Sequence, residues 1–96
     1  MSDHPALAAD AAIDRAEGLV ASDVNGEVVI LSIEVGHFFH LNATGSRIWN
    51  LLNAPMTVAA LSAAMAERFA VGVDDCRRDV TEFVEAMLDK GLLERV

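Results

Sequence analysis

Cysteine and long apolar runs are almost missing from this sequence. Cys76 is its single cysteine, so no intramolecular disulfide can form. No apolar run approaches the ~20 residues that a helix needs to cross a bilayer. Residues 1–17 contain acidic side chains and lack the basic start and apolar stretch of a secretory signal. We therefore expect a cytoplasmic protein without a membrane span.

Positive charge is also scarce. The chain has 7 lysines and arginines against 15 aspartates and glutamates, which gives a formal net charge of −8. Binding to nucleic acid depends largely on neutralising phosphates with Lys and Arg, and an anionic membrane surface attracts the same residues. The composition therefore argues against nucleic acid and membrane as partners.

The remaining composition is that of one folded domain. The 96 residues are 53% apolar and 23% charged, and a chain of this length forms one hydrophobic core. Residues 1–17 are rich in Ala and Asp and show little periodicity, so we interpret them as a flexible N-terminal arm. The folded domain is then expected over residues 18–96.

Residues 18–42 have the pattern of three short β-strands. Asn25-Gly26 predicts a two-residue hairpin turn, because both central positions of such a turn need a positive φ. The segment 27–33 is dense in β-branched residues, which favour strands. Gly36 marks a second turn, and a third strand follows over residues 37–41. Tight turns between consecutive strands predict an antiparallel meander.

From Asn42 onward the apolar spacing changes to that of helices. Asn42 or Thr44 is expected to cap a first helix, which ends before Pro55. Thr57 is expected to cap a second helix that ends before Gly72. These signals place the first two helices directly after the meander.

A third helix follows, with Asp74 or Asp75 as its expected cap and Gly91 as its stop. Its apolar residues recur at helical spacing and predict one buried stripe: Cys76, Val80, Phe83, Val84, Met87 and Leu88. Three strands followed by three helices predict an α+β fold, in which a three-stranded antiparallel sheet carries the helices on one side.

Residues able to carry out chemistry are few. Cys76 lies on the apolar stripe of the third helix, and we interpret it as a buried structural thiol. His4 falls in the arm, while His37 and His40 are three apart on a strand and so point to opposite faces. The carboxylates of the third helix fit a solvated face. We therefore expect no catalytic residue, no cofactor and no metal.

The third predicted strand is an exposed edge of the sheet. In a meander with sequential pairing, it leaves one row of backbone N–H and C=O groups unpaired. Edge strands are often protected by Lys, Pro or inward charges, but this one consists of His37, Phe38, Phe39, His40 and Leu41. Such an edge can accept an extended peptide by β-augmentation, with a neighbouring helix supplying side-chain pockets.

The run from residue 36 to residue 52 resembles the signature of a known family. It reads Gly-His-Phe-Phe-His-Leu-Asn-Ala-Thr-Gly-Ser-Arg-Ile-Trp-Asn-Leu-Leu, which is similar to the pattern G-x-[YF]-[YF]-x-L-N-x-x-G-x-x-I-W-x-L-L of the PqqD-like family. The resemblance covers residues 18–96. It is closer to stand-alone members found near radical SAM enzymes, lasso-peptide proteases or kinase-like proteins than to the founding member.

The resemblance implies a winged helix-turn-helix-like fold and the role of a RiPP recognition element. Such a domain binds the leader of a ribosomally synthesised precursor peptide and presents it to a modifying enzyme. The leader lies antiparallel to the third strand, in a groove closed by the third helix. The implied partners are a precursor leader peptide and a modifying enzyme, such as a radical SAM enzyme or a lasso-peptide protease. The chain itself is expected as a monomer or weak homodimer.

The expected peptide-binding residues form two walls. By position in the family, the strand wall consists of His37, Phe38, Phe39, His40 and Leu41. From spacing along the third helix, the helix wall consists of Arg77, Val80, Thr81, Val84 and Leu88.

Two other functions are compatible with this topology. A winged-helix regulator would need basic residues on a recognition helix, but the third helix has Arg77, Arg78 and Lys90 against six acidic residues. A homo-oligomeric assembly module would use the same edge strand for self-pairing. Salt-dependent DNA binding would indicate the first alternative, and light scattering across concentrations would reveal the second.

Overall fold

The computed structural model describes residue 8 and residues 10–96, which contain six strands and three helices. The elements in chain order are β1 (Ala12–Arg15), β2 (Leu19–Val24), β3 (Glu27–Ser32), β4 (His37–His40), α1 (Ala43–Leu51), β5 (Met56–Thr57), α2 (Val58–Phe69), α3 (Val73–Asp89) and β6 (Leu93–Arg95). The strands form two antiparallel sheets, ordered β2-β3-β4 and β5-β1-β6. The predicted α+β class is confirmed.

The sheet β2-β3-β4 is the predicted meander. Its first turn has φ of 55° at Asn25 and 84° at Gly26, as the hairpin signal requires. Gly36, with φ of 77°, lies in the second turn. The buried face of β3 carries Val28 and Ile30, which are 2% and 0% exposed. Local turn chemistry therefore sets the register that carries β4 to the edge.

The predicted caps of the first two helices are confirmed. The Asn42 side chain accepts a hydrogen bond from the Gly45 N–H, and the Thr57 side chain accepts one from the Ala60 N–H. For α3 the prediction of an aspartate cap is wrong. Gly72 is the N-cap residue, and Asp74 lies in the first turn, where its charge is favourable beside the N-terminal end of the helix dipole.

The second sheet, β5-β1-β6, was not predicted from the sequence. Ile13 in β1 pairs with Met56 of β5 on one side and with Arg95 of β6 on the other, and its side chain is fully buried. The prediction of a flexible arm over residues 1–17 is therefore wrong for Ala12–Arg15. Residues 1–7, including His4, lie outside the described residues.

Arg15 joins β1 to the first helix. Its Nη2 donates a hydrogen bond of 2.6 Å to the Trp49 carbonyl oxygen, and its guanidinium lies 4.5 Å from the centre of the Trp49 ring. Burial lowers the pKa of Arg15 from its usual value, although the Asp14 carboxylate acts in the opposite direction. A cation stacked on an indole and bonded to a helix carbonyl attaches the strand firmly to the core.

One core joins the two sheets and the three helices. Cys76 is 2% exposed, as predicted, and Trp49 is also 2% exposed. The other apolar core residues are Ile13, Val28, Ile30, Leu41, Ile48, Leu52, Val58, Leu61, Met65, Val80, Val84, Met87, Leu92 and Leu93. This core sets β4 and α3 beside each other.

The Ser46 hydroxyl links α1 to the meander. It accepts a hydrogen bond of 2.8 Å from the Val28 N–H and donates one of 3.2 Å to the Leu41 carbonyl oxygen. Ser46 is 1% exposed, so no water can replace these partners easily. The serine therefore ties the end of β4 to β3 through the start of α1.

We expect Ser46→Ala to lower the free energy of unfolding by about 1–3 kcal/mol, because it leaves a buried N–H without an acceptor. Ser62→Ala is the matched control. Ser62 is equally buried, but its hydroxyl only donates to the Val58 carbonyl one turn earlier. Urea denaturation of both variants measures the difference. Equal losses would contradict the linking role of Ser46.

Candidate functional site

The free edge of β4 presents the backbone groups of Phe38 and His40. The Leu41 N–H donates to the Val28 carbonyl oxygen at 2.8 Å, while the Val28 N–H donates to the Ser46 hydroxyl, so these two residues occupy a bonded position of the β3–β4 ladder. Such pairs alternate along an antiparallel ladder, and the register therefore makes Ile30 with Phe39 the next bonded pair. The N–H and C=O groups of the residues in between point away from β3.

An open cavity of about 380 Å³ lies between this edge and α3. It is lined from β4, from the segment that starts α1, from the second half of α3 and from the residue before β6: Phe38, Phe39, His40, Leu41, Asn42, Gly45, Phe83, Ala86, Met87, Lys90 and Leu92. Most of these side chains are apolar. The cavity therefore offers an apolar pocket directly beside unpaired backbone groups.

A second cavity, also of about 380 Å³, continues the first along α3. The two cavities share Asn42, Gly45 and Phe83 as lining residues. Asp79 and Glu82 line the second cavity, whereas Lys90 lines the first. Together they form one groove, which we call the β4–α3 groove, with an acidic end and a basic end.

Gly45 allows α1 and α3 to approach closely at the middle of this groove. A Cβ atom on Gly45 would lie 3.0 Å from Cε1 of Phe83 and 3.3 Å from Oδ1 of Asn42. That oxygen also accepts the hydrogen bond of 2.8 Å that caps α1. A larger residue would therefore disturb both the cap and the Phe83 ring, which lines both cavities.

Four of the five residues predicted for the strand wall line the β4–α3 groove: Phe38, Phe39, His40 and Leu41. They differ in exposure. Leu41 is buried, while the Phe38 side chain is 72% exposed on the face opposite the core. His37 does not line the groove, and its ring centroid lies 6.5 Å from that of Phe39.

The predicted helix wall is not brought to the groove. Val80 and Val84 are fully buried core residues, so their side chains are not accessible to a ligand. Arg77, Thr81 and Leu88 line neither cavity. At 3.6 residues per turn, the buried stripe of α3 has a flank on each side. Arg77, Thr81 and Leu88 lie on one flank, and the residues that line the groove lie on the other.

The helix wall consists of Asp79, Glu82, Phe83, Ala86 and Lys90 on one flank, with Met87 between them and the core. Sequence reasoning placed Phe83 and Met87 on the core stripe and missed the others. The signal was present as a row at spacings of three and four, 79, 83, 86 and 90, beside the apolar stripe. Only the position of α1 distinguishes this flank from the other.

Cys76 carries the single thiol of the chain. Burial raises the pKa of the Cys76 thiol, and the carboxylates of Asp79 and Asp75 raise it further, so the group is poorly suited to act as a nucleophile. Within residues 8 and 10–96, no three His, Cys, Asp or Glu side chains are grouped to hold a metal ion. Over the same residues, no helix is both long and apolar enough to span a bilayer.

Three solved structures are similar to this chain. TbiB1, determined in complex with the TbiA(β) leader peptide, is 32% identical with a TM-score of 0.76, and the match covers 84% of this chain and 94% of TbiB1. A lasso peptide synthetase B1 complexed with its leader peptide is 19% identical, with a TM-score of 0.70 and coverage of 85% and 96%.

The third is the solution NMR structure of the PqqD truncation of Methylobacterium extorquens PqqCD, described as a functional, stand-alone RiPP recognition element. It is 16% identical, with a TM-score of 0.78 and coverage of 94% and 96%. At these identities, the synthetase B1 and the PqqD truncation show a common fold. No curated protein matches the chain.

The family model that matches is that of coenzyme PQQ synthesis protein D, PqqD, over residues 27–93. These residues include the whole β4–α3 groove and more than half of the chain. The match over most of the chain shows that the chain belongs to the PqqD family.

Proposed function

We propose that this chain is a RiPP recognition element that binds the leader region of a ribosomally synthesised precursor peptide in the β4–α3 groove. The leader adds to the free edge of β4 by β-augmentation, and the chain presents it to a modifying enzyme. The role is binding rather than catalysis. Its setting is the cytoplasm, where precursor peptides are made.

The observation that carries this proposal is the apolar cavity directly beside the unpaired backbone groups of Phe38 and His40. Backbone pairing along an edge gives affinity for any extended peptide, whereas the pocket beside it selects side chains. The 32% identical TbiB1, whose structure contains a leader peptide, supports the same use of the fold here.

The groove also indicates what kind of leader it accepts. Alternate side chains of an added strand point toward the core side of the sheet, where Phe39, Phe83 and Met87 line the first cavity. A bulky apolar leader residue buries its surface there. The carboxylates of Asp79 and Glu82 disfavour an acidic leader residue in the second cavity.

The partner enzyme belongs to the maturation pathway of a peptide natural product. A radical SAM enzyme and a lasso-peptide protease are the two classes that we propose. The fold that this chain has in common with a lasso peptide synthetase B1 is compatible with a partner from lasso-peptide maturation.

An NMR titration of the ¹⁵N-labelled chain with leader peptides encoded beside its gene tests the proposal. We expect saturable shifts that are concentrated in residues 37–42 and 79–90. Shifts spread over the whole molecule, or no shift with any of these leaders, would contradict it.

We expect Ala86→Phe to weaken leader binding by about tenfold or more, which corresponds to about 1.4 kcal/mol. Ala86 is exposed and lines the first cavity, so the added ring occupies the space for a leader side chain without entering the core. Fluorescence anisotropy with a labelled leader measures the change. Ala63→Phe is the control, since Ala63 is also an exposed helix residue and lies outside the groove. Equal losses in the two variants would contradict the proposed groove.

A further inference from the structure

The face of the meander that points away from the core carries a row of apolar side chains. The register places Val20 of β2 opposite Leu31 of β3, and Leu31 opposite Phe38 of β4. Val20 is 50% and Phe38 72% exposed, and Leu31 is partly exposed. We call these three residues the outer row.

The outer row belongs to a larger apolar surface. Val24, 51% exposed, lies on the same face of β2 as Val20 by strand alternation, and Ile33, 63% exposed, lies in the turn directly after β3. Single exposed apolar residues are ordinary, but several on one sheet face and its adjoining turn indicate a site of interaction. This face meets the β4–α3 groove at Phe38, which belongs to both, whereas Val20 and Leu31 line neither cavity of the groove.

Charge indicates which partner suits this face. Residues 16–46, which include the whole meander, contain four acidic residues, Glu17, Asp23, Glu27 and Glu34, and no Lys or Arg. A second copy of the chain would bring the same negative charges against them. A partner with an apolar centre and surrounding Lys and Arg residues is complementary in both respects.

The outer row also continues into the leader. Because β4 is the edge strand, a peptide paired with it becomes the next strand of the same sheet. Side chains directly opposite each other on neighbouring strands share a face. The leader residue opposite Phe38 therefore extends the outer row by one position.

We propose that the outer row and the leader residue beside Phe38 form one composite docking surface for the modifying enzyme, whose own surface there is apolar and rimmed by Lys and Arg. The contribution of the leader residue to this surface rests on the proposed leader binding. The enzyme contacts chain and leader together, so it binds the leader-loaded chain more tightly than the empty chain. By linkage, the enzyme raises the affinity for the leader by the same factor.

Val20→Lys tests the surface without touching the groove. Val20 lies on β2, separated from the leader by β3 and β4, and a lysine there places a positive charge against a basic partner. We expect the affinity for the purified maturation enzyme encoded beside this gene to fall about tenfold or more. Leader affinity, measured separately by fluorescence anisotropy, is expected to stay within about threefold of the wild-type value.

Val73→Lys is the control with matched charge. Val73 is 57% exposed at the start of α3, away from the outer row, and the substitution changes the net charge equally. Equal losses of enzyme affinity in the two variants, or none in Val20→Lys, would overturn the docking surface while leaving leader binding intact. If the wild-type chain bound no leader, the proposed function itself would be wrong. A dimer in sedimentation experiments that Val20→Lys dissociates would assign the face to a second copy and overturn the proposal.

Discussion

Phe38→Pro is expected to reduce leader affinity by at least tenfold while leaving the domain folded. The Phe38 N–H points to the free edge of β4, so proline removes a donor to the leader and no hydrogen bond to β3. One lost hydrogen bond corresponds to about 0.5–1.5 kcal/mol, and the proline ring also obstructs the approach of the added strand. Isothermal titration calorimetry with a leader peptide measures the loss.

Phe38→Ala is the matched variant, because it removes the same ring and keeps the N–H. We expect a much smaller loss of leader affinity, since the Phe38 side chain is 72% exposed on the face opposite the core. Circular dichroism confirms that both variants are folded. If Phe38→Ala and Phe38→Pro weakened binding equally, the ring rather than the backbone would hold the leader.

Trp49→Ala is expected to lower the free energy of unfolding by about 3–5 kcal/mol. Trp49 is 2% exposed, and its removal leaves a large cavity between α1 and the sheets and also removes the surface on which the Arg15 guanidinium stacks. A domain of this size holds about 5–10 kcal/mol in total. The variant is therefore close to unfolding at room temperature, and urea denaturation at low temperature measures its stability.

The exposed Phe38 provides the comparison for Trp49. Phe38→Ala also removes an aromatic ring, but from a surface position, and we expect a loss below about 1 kcal/mol. Similar losses for the two substitutions would contradict the position of Trp49 in the core.

Elements with strong local signals were predictable from the sequence. Asn25-Gly26 fixes its hairpin because few other residue pairs adopt a positive φ at both positions. Asn42 and Thr57 cap their helices through bonds to residues three positions later. Each of these features depends on a few neighbouring residues, and together they place β4 at the edge of the meander.

The second sheet was not predictable in the same way. β5 has two residues and β6 has three, which is too short for an alternating pattern to appear. β1 pairs with segments more than 40 residues away, and Ile13 is its only fully buried side chain. Such strands are formed by tertiary packing, because each buries little surface until its partners are in place.

The helix side of the groove shows a related limit. The buried stripe of α3 has two flanks, and both contain apolar and polar residues at helical spacing. Phe83 lines the groove where Gly45 lets α1 approach it, whereas Leu88 lines neither cavity. A contact between α1 and α3, which are about 40 residues apart in sequence, determines which flank of α3 lines the groove. The periodicity of α3 alone does not contain this information.

The pairing of β1 with β6 brings the first and last strands of the folded unit side by side. Ile13 lies opposite Arg95, in a different sheet from β4. A domain whose two ends are neighbours can be inserted into another protein, fused at either end or circularly permuted with little change to its interior. Because this junction lies outside the sheet that carries the free edge, gene fusion can join the domain to a larger protein while the groove stays open.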